Sequence, residues 1–163
     1  MHGVTVDVET TGLGNSDAII SIALVRFNGW KIEEILSTLV DPHRGIPTQI
    51  TKLTGIDNKK VLGSPTFIQL KDDILFFVEK LPILAYNAPF ETRFIGDLLQ
   101  RRGNGYTLVD VLKKVKQAYK LDSYKLKDVA LHFKIPFNHE HQALSDALVC
   151  YHLVNILEGR GEW

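Results

Sequence analysis

A single cysteine, Cys150, stands in 163 residues, so no internal disulfide can brace this chain. It falls inside an apolar helical pattern, and the expectation is a core thiol in a reducing cytoplasm. No run of 18 apolar residues is present, which argues against a membrane-spanning helix. No basic region with an apolar run precedes the first strand, which argues against a secretory leader. Net charge is absent too: 19 Lys and Arg balance 19 Asp and Glu, so the field of the whole molecule does not point to a polyanionic partner. Repeats, low-complexity tracts and interdomain linkers are missing. What remains is a 45% hydrophobic, 23% charged chain of globular composition, long enough to bury about two-thirds of its unfolded surface around one core. Residues 1–163 are expected to form one domain.

The charge is unevenly spread. Residues 1–92 carry 8 basic and 11 acidic side chains, and residues 93–163 carry 11 and 8. The basic excess gathers at Arg93, Arg101, Arg102, Lys113, Lys114, Lys116, Lys120, Lys125 and Lys127. Two readings stay open: the wet faces of helices, or a modest electrostatic track for a short single strand, which needs less charge than a duplex does.

Period-two alternation with β-branched residues marks strands near 3–9, 18–27 and 31–40, joined by turns at Gly12–Asn15 and Asn28–Gly29. These read as an antiparallel meander. After the loop at 41–47, a short helix over 48–53 is stopped by Gly55. Ser64 is expected to cap a helix that begins at Pro65 and carries Leu70, Ile74, Phe77, Val78 and Leu81 on one face. Residues 82–86 read as a buried strand, and Pro89 opens a helix with Phe90, Phe94, Leu98 and Leu99, ended by Gly103. A strand over 106–109 leads to Asp110 as a helix cap. Ser123 is expected to start another helix, with Leu126, Val129, Ala130 and Phe133, closed before Pro136. The last helix runs from Gln142 to Leu157 with Leu144, Ala147, Leu148 and Tyr151 on its apolar face. Strands first, then strands alternating with helices, predict an α/β fold: a mixed central β-sheet of about five strands flanked by α-helices.

The chemistry begins at the first strand. In Val4-Thr5-Val6-Asp7-Val8-Glu9 the two acids are two residues apart, so both project from one face while the valines face the other. At ~4 Å and an effective dielectric near 20 their repulsion is roughly 4 kcal/mol. A hard divalent cation with oxygen ligands relieves it. Taken alone, the pair fits equally well two solvated acids at a strand end. Two later motifs shift that balance. Tyr86-Asn87-Ala88-Pro89-Phe90-Glu91 puts a carboxylate in the first turn of a helix just after a buried strand. In His141-Gln142-Ala143-Leu144-Ser145-Asp146 the outer residues are five apart, so on one helix they diverge by about 140°. His141 therefore belongs on the loop or first turn, leaning over a site to which Asp146 contributes from the helix.

Together these residues resemble the DEDD-type (DnaQ-like) 3′-to-5′ exonuclease family in its histidine-bearing (DEDDh) subclass, which includes the epsilon proofreading subunit of bacterial DNA polymerase III, oligoribonuclease and ribonuclease T. The likeness rests on Asp7-x-Glu9-Thr10-Thr11-Gly12-Leu13, on Asn87-Ala88-x-Phe90 with an acid, and on the stretch from His141 to Ala147. It extends to Ile19–Ala23 and Leu53–Ile56, covering nearly the whole chain.

That resemblance implies a ribonuclease H-like fold and a specific division of labour. Asp7, Glu9 and Asp146 would hold one metal and Asp7 would also touch a second, the two being Mg²⁺ or Mn²⁺. Two ions about 3.5 to 4 Å apart can stabilise both the attacking water and the departing 3′ oxygen. His141 resembles the family's general base, a role suited to a group that titrates near neutral pH. His139, Glu140 and His141 could instead form a zinc cluster, but no cysteine accompanies them. Glu91 departs from the family's usual aspartate; that acid commonly reaches the second metal through water. Asp97, six residues further on, points about 120° away and is a poor substitute. Thr10, Thr11 and Gly12 are expected at the terminal sugar, and Leu13 and Phe90 against the last bases, with core packing the competing role for Phe90. Asn87 is expected beside the substrate, in a supporting hydrogen bond.

The expected activity is metal-dependent release of nucleoside 5′-monophosphates from a free 3′ end, with single-stranded DNA ahead of RNA as substrate. The competing reading is a non-catalytic nucleic-acid-binding or polymerase-associated module whose site has decayed at Glu91. A DNA polymerase is an expected partner, although a chain that starts near Asp7 and stops after its last helix leaves no tail to tether one. No membrane partner is expected.

Overall fold

A computed structural model describes residues 1–100, 108–137 and 142–161. The expected positions of His141, His139, Glu140, Arg101, Arg102, Gly103 and Tyr106 lie outside those residues. In chain order the elements are β1 (His2–Thr10), β2 (Ile19–Asn28), β3 (Lys31–Leu39), α1 (Thr48–Thr54), α2 (Phe67–Val78), β4 (Ile83–Ala85), α3 (Ala88–Gln100), β5 (Leu108–Asp110), α4 (Val111–Ala118), α5 (Leu126–His132) and α6 (Ala143–Gly159). The sheet runs β3-β2-β1-β4-β5. The first three strands pair antiparallel, and β4 and β5 then add parallel to β1 and to each other. This is the five-stranded mixed sheet that the pattern predicts, with β1 at its centre.

Alternation along β1 sorts its side chains onto two helical layers. Val4, Val6 and Val8 are buried against Leu70, Ile74 and Phe77 of α2 and Ile95, Leu98 and Leu99 of α3. On the opposite face Thr5 is fully buried, and its hydroxyl donates to the Ala147 carbonyl of α6 at 2.9 Å. Small residues make this close approach possible: Ala23 of β2 packs with Ala143 and Ala147 of α6. The expected apolar face of α6 understates its burial. Val149, Cys150, Leu153, Val154 and Leu157 are buried as well, because α4 and α5 cover the side away from the sheet, while Leu144 and Leu148 are only partly covered.

Two helix starts differ from expectation. The α2 cap is Thr66, not Ser64: its hydroxyl accepts from the Gln69 amide at 3.3 Å while the Gln69 side chain accepts from the Thr66 amide at 2.8 Å. A cap at Ser64 would put Phe67 where the reciprocal glutamine is needed, so the capping box selects the later start. Leu81 consequently falls beyond the helix. Ser123 does not open α5 either; Lys125 is its N-cap. The Ser123 hydroxyl instead donates to Asp128 at 2.5 Å, and the preceding loop is tied through the Tyr124 hydroxyl, which donates to the Tyr119 carbonyl. Asp110 does cap α4, accepting from the Lys113 amide at 3.1 Å. Gly55 ends α1 at φ 71°, a left-handed conformation that glycine adopts without steric cost.

Candidate active site

The carboxyl ends of β1 and β4 lie side by side because these strands run parallel. Asp7 and Glu9 leave β1 on the α6 side of the sheet, opposite Ala23 and Ser21 of β2. The small partners leave room for the first turn of α6, which carries Asp146. One ligand oxygen from each of Asp7, Glu9 and Asp146 can be chosen so that all three lie within 4.8 Å of one another. From β4 the chain passes through Asn87 into α3, whose first turn carries Glu91. All four acids line one cleft of about 300 Å³, shared with Thr10, Gly12, Leu13, Asn87 and Phe90.

The electrostatics of this cluster are those of acids lacking counter-charge. Burial, followed by repulsion from Asp146, pushes Glu9 up to about 8. Glu91 is also raised to about 8: burial dominates, the hydrogen bond from its own backbone amide opposes it, and Asp110 and Glu9 add to the rise. Asp7 is raised well above the carboxylate range by burial and then by Asp146, Glu91 and Glu9. Behind them the buried Cys150 thiol is pushed upward by burial and then by Glu91, Asp7, Asp110 and Asp146, as befits an unreactive core thiol. Glu91 is 3% exposed and its Oε2 has no hydrogen-bond partner among the described residues. A buried carboxylate oxygen with no donor is costly unless something supplies positive charge. An all-oxygen donor set and that orphaned oxygen fit a hard divalent cation.

The cleft's walls come from three segments. Leu13, 74% exposed, projects from the turn after β1. Phe90, half-buried, packs on Phe94 with ring centroids 5.1 Å apart. Asn87 is exposed at the end of β4, and its carbonyl accepts from the Phe90 amide at 2.8 Å. The third wall is α1, which contributes Ile50, Leu53 and Thr54. None of the three is among the expected site residues, yet Leu53–Ile56 belongs to the stretch that carries the family resemblance, and Leu53 is a large apolar residue left 51% exposed.

Thr10 and Thr11 differ in placement. The Thr10 hydroxyl donates to the Gly12 carbonyl at 2.6 Å while its residue lines the cleft. Thr11 is 2% exposed and is not among the described residues lining the cleft; its hydroxyl donates to Asp17 at 2.8 Å and accepts from the Ala18 amide at 3.1 Å. Its bonding is thus spent inside the turn, where a sugar contact was expected. Asp97 is exposed and outside the cleft lining. Of the basic residues, Arg93 reaches the turn, donating to the Leu13 carbonyl.

A mixed five-stranded sheet with helices on both faces and acids gathered at the end of its central strand defines a ribonuclease H-like nuclease domain. The solved structure of exonuclease X in complex with 5′ overhanging duplex DNA has this fold, with a TM-score of 0.77 over 98% of this chain and 93% of that one at 22% identity. Residues 4–154 match the family model described as an exonuclease, and the chain belongs to that family. Within it the chain is similar to epsilon subunits and PolC-type enzymes of bacterial DNA polymerase III. The DNA polymerase III subunit epsilon of Aquifex aeolicus is 34% identical over 161 residues, 95% of this chain and 80% of the relative. A PolC-type DNA polymerase III from Caldanaerobacter subterraneus is 36% identical over 148 residues, 88% of this chain, which spans only 11% of that polymerase. Among the described residues no helix is long and apolar enough to cross a membrane.

Proposed function

We propose that residues 1–163 act as one domain that removes nucleoside 5′-monophosphates from the 3′ end of single-stranded DNA. The observation that carries the reading is the convergence of Asp7, Glu9 and Asp146 within 4.8 Å, in a cleft that also holds the unpartnered oxygen of Glu91, in a chain of the exonuclease family.

Asp7, Glu9 and Asp146 would hold one Mg²⁺ or Mn²⁺, with Asp7 and, through water, Glu91 serving a second. When bound, such ions polarise the phosphodiester and stabilise charge on the attacking and leaving oxygens. The chain's own groups do the rest. Leu13 and Phe90 flank the cleft with apolar surface for the terminal bases, a contact tolerant of base identity. Thr10, Gly12 and Asn87 border the same space, where backbone and amide groups can meet the sugar. His141, which precedes α6 in the sequence, would take the proton of the attacking water as the bond from phosphorus to the 3′ oxygen breaks. The products are a nucleoside 5′-monophosphate and a strand one residue shorter with a free 3′ hydroxyl. Polymerase relatives support a role beside a DNA polymerase, which would place the chain in the cytoplasm.

The test is incubation with 5′-labelled single-stranded DNA and, separately, RNA in Mg²⁺ or Mn²⁺. The expected outcome is a ladder shortened from the 3′ end of DNA, lost with EDTA, with Asp7→Ala and with His141→Ala. Binding without shortening would instead indicate a decayed, non-catalytic module, and preferential RNA shortening would reassign the substrate.

A further inference from the structure

The turn between β1 and β2 is organised around one carboxylate that the catalytic reading does not use. Asp17 Oδ1 accepts from the Thr11 hydroxyl and Oδ2 accepts from the Gly14 amide, both at 2.8 Å. Thr11 is in turn held by the Ala18 backbone, its amide donating to the Ala18 carbonyl at 2.8 Å and its hydroxyl accepting from the Ala18 amide. The Gly14 carbonyl accepts from the Asp17 amide at 3.1 Å. These bonds hold Asp17 below the usual carboxylate range, the Gly14 amide first and the Thr11 hydroxyl second.

The same carboxylate explains a residue type in the motif. A Cβ added to Gly12 would stand 2.6 Å from Asp17 Oδ2 and 2.9 Å from its Cγ. Glycine is needed there because the carboxylate lies against its α-carbon, and that carboxylate cannot swing aside without losing both donors. Leu13 follows directly, its carbonyl taken by Arg93 and its side chain turned out to the cleft. Arg44 braces the far side, donating to the Ser16 carbonyl.

We propose that Asp17 is a positioning residue of the nuclease site: by gripping Thr11 and Gly14 and packing on Gly12, it sets the turn that presents Leu13 to the base of a bound strand. The assignment rests on the function proposed above. It gives Thr11 the role of a brace, reached through Asp17 and not through substrate.

The test uses the whole chain and a 5′-labelled oligothymidylate in Mn²⁺. With the anchor gone, Asp17→Ala is expected to raise KM about tenfold with kcat within about twofold, the pattern of lost uniform binding. Asp17→Asn, whose amide keeps an acceptor for Gly14 and a polar partner for Thr11, is expected to stay within about threefold of wild type. Gly12→Ala should be severe in the wild-type background and add little to Asp17→Ala, because the clash partner has been removed. Unchanged KM in Asp17→Ala, a fall confined to kcat, or equal damage from Gly12→Ala in both backgrounds would overturn the proposal. Fluorescence anisotropy of the same probe with Ca²⁺ compares affinity without turnover: weaker binding by Asp17→Ala supports the proposal and equal binding overturns it. A wild-type chain that binds the probe without shortening it defeats the exonuclease reading but leaves this affinity comparison standing.

Discussion

Glu91 is where this chain's chemistry departs from the pattern it otherwise matches. Its carboxylate sits in the first turn of α3, a position that favours an anion. Burial nevertheless outweighs that preference and lifts it to about 8. A glutamate at a position usually filled by aspartate carries one more methylene, so its oxygen reaches further into the cleft. Glu91→Asp is expected to retain or raise exonuclease activity in Mn²⁺, since the shorter acid leaves space that a water can bridge. Initial rates on labelled single-stranded DNA would check this. A profound loss in that variant would mean that Glu91 does not occupy the position assigned to it.

At the level of elements, the site depends on how closely α6 lies on the sheet. Asp7 and Glu9 are fixed by strand alternation, but Asp146 reaches them only because Ala23, Ala143 and Ala147 allow a close approach. The Thr5 hydroxyl then pins the carbonyl of Ala147, the residue next to Asp146. Thr5→Val keeps the side-chain shape and removes that bond, and is expected to cost about 1 kcal/mol of stability. Because the pin adjoins a proposed ligand, affinity for divalent metal should fall as well. Calorimetric titration with Mn²⁺ beside a denaturant melt separates the two effects, and undiminished metal affinity would show that α6 is registered by packing alone.

For the whole molecule, four acids around one cleft tie folding to pH and to metal. Glu9 and Glu91 have ordinary values near 4.5 when unfolded and about 8 when folded, so across that interval the folded chain holds protons that the unfolded chain has released. Stability from these groups is complete below about 4.5 and is lost as pH rises towards 8. The metal-free protein in EDTA is therefore expected to melt at progressively lower temperature between those limits. Mn²⁺ should reverse the loss, with a larger rise in Tm near the upper limit, where ions displace fewer protons, than near the lower one. A metal-induced shift that is equal at both ends, or larger in acid, would contradict the carboxylate cluster as the binding site.

Local patterning settled a great deal. The valine and acid alternation of β1, the helix-opening position of Glu91 and the Asp110 cap depend on neighbours a few residues away, and each lies where the chain's periodicity puts it. The five-stranded mixed sheet also follows from element order, because short turns enforce antiparallel neighbours and helical crossovers enforce parallel ones. Tertiary structure decided what depends on distant pairs. The choice of Thr66 over Ser64 as a cap is not among these, since its reciprocal bond joins Gln69 only three residues away. α1 became a wall of the cleft because its exposed Leu53 faces a space that β1 and α3 create together. The Thr11 hydroxyl is engaged by a carboxylate six residues away whose position only the closed turn defines. The separation of Asp146 from Asp7 and Glu9 was closed by small side chains on two different elements, a matter of volume and close contact that no periodicity along one segment encodes.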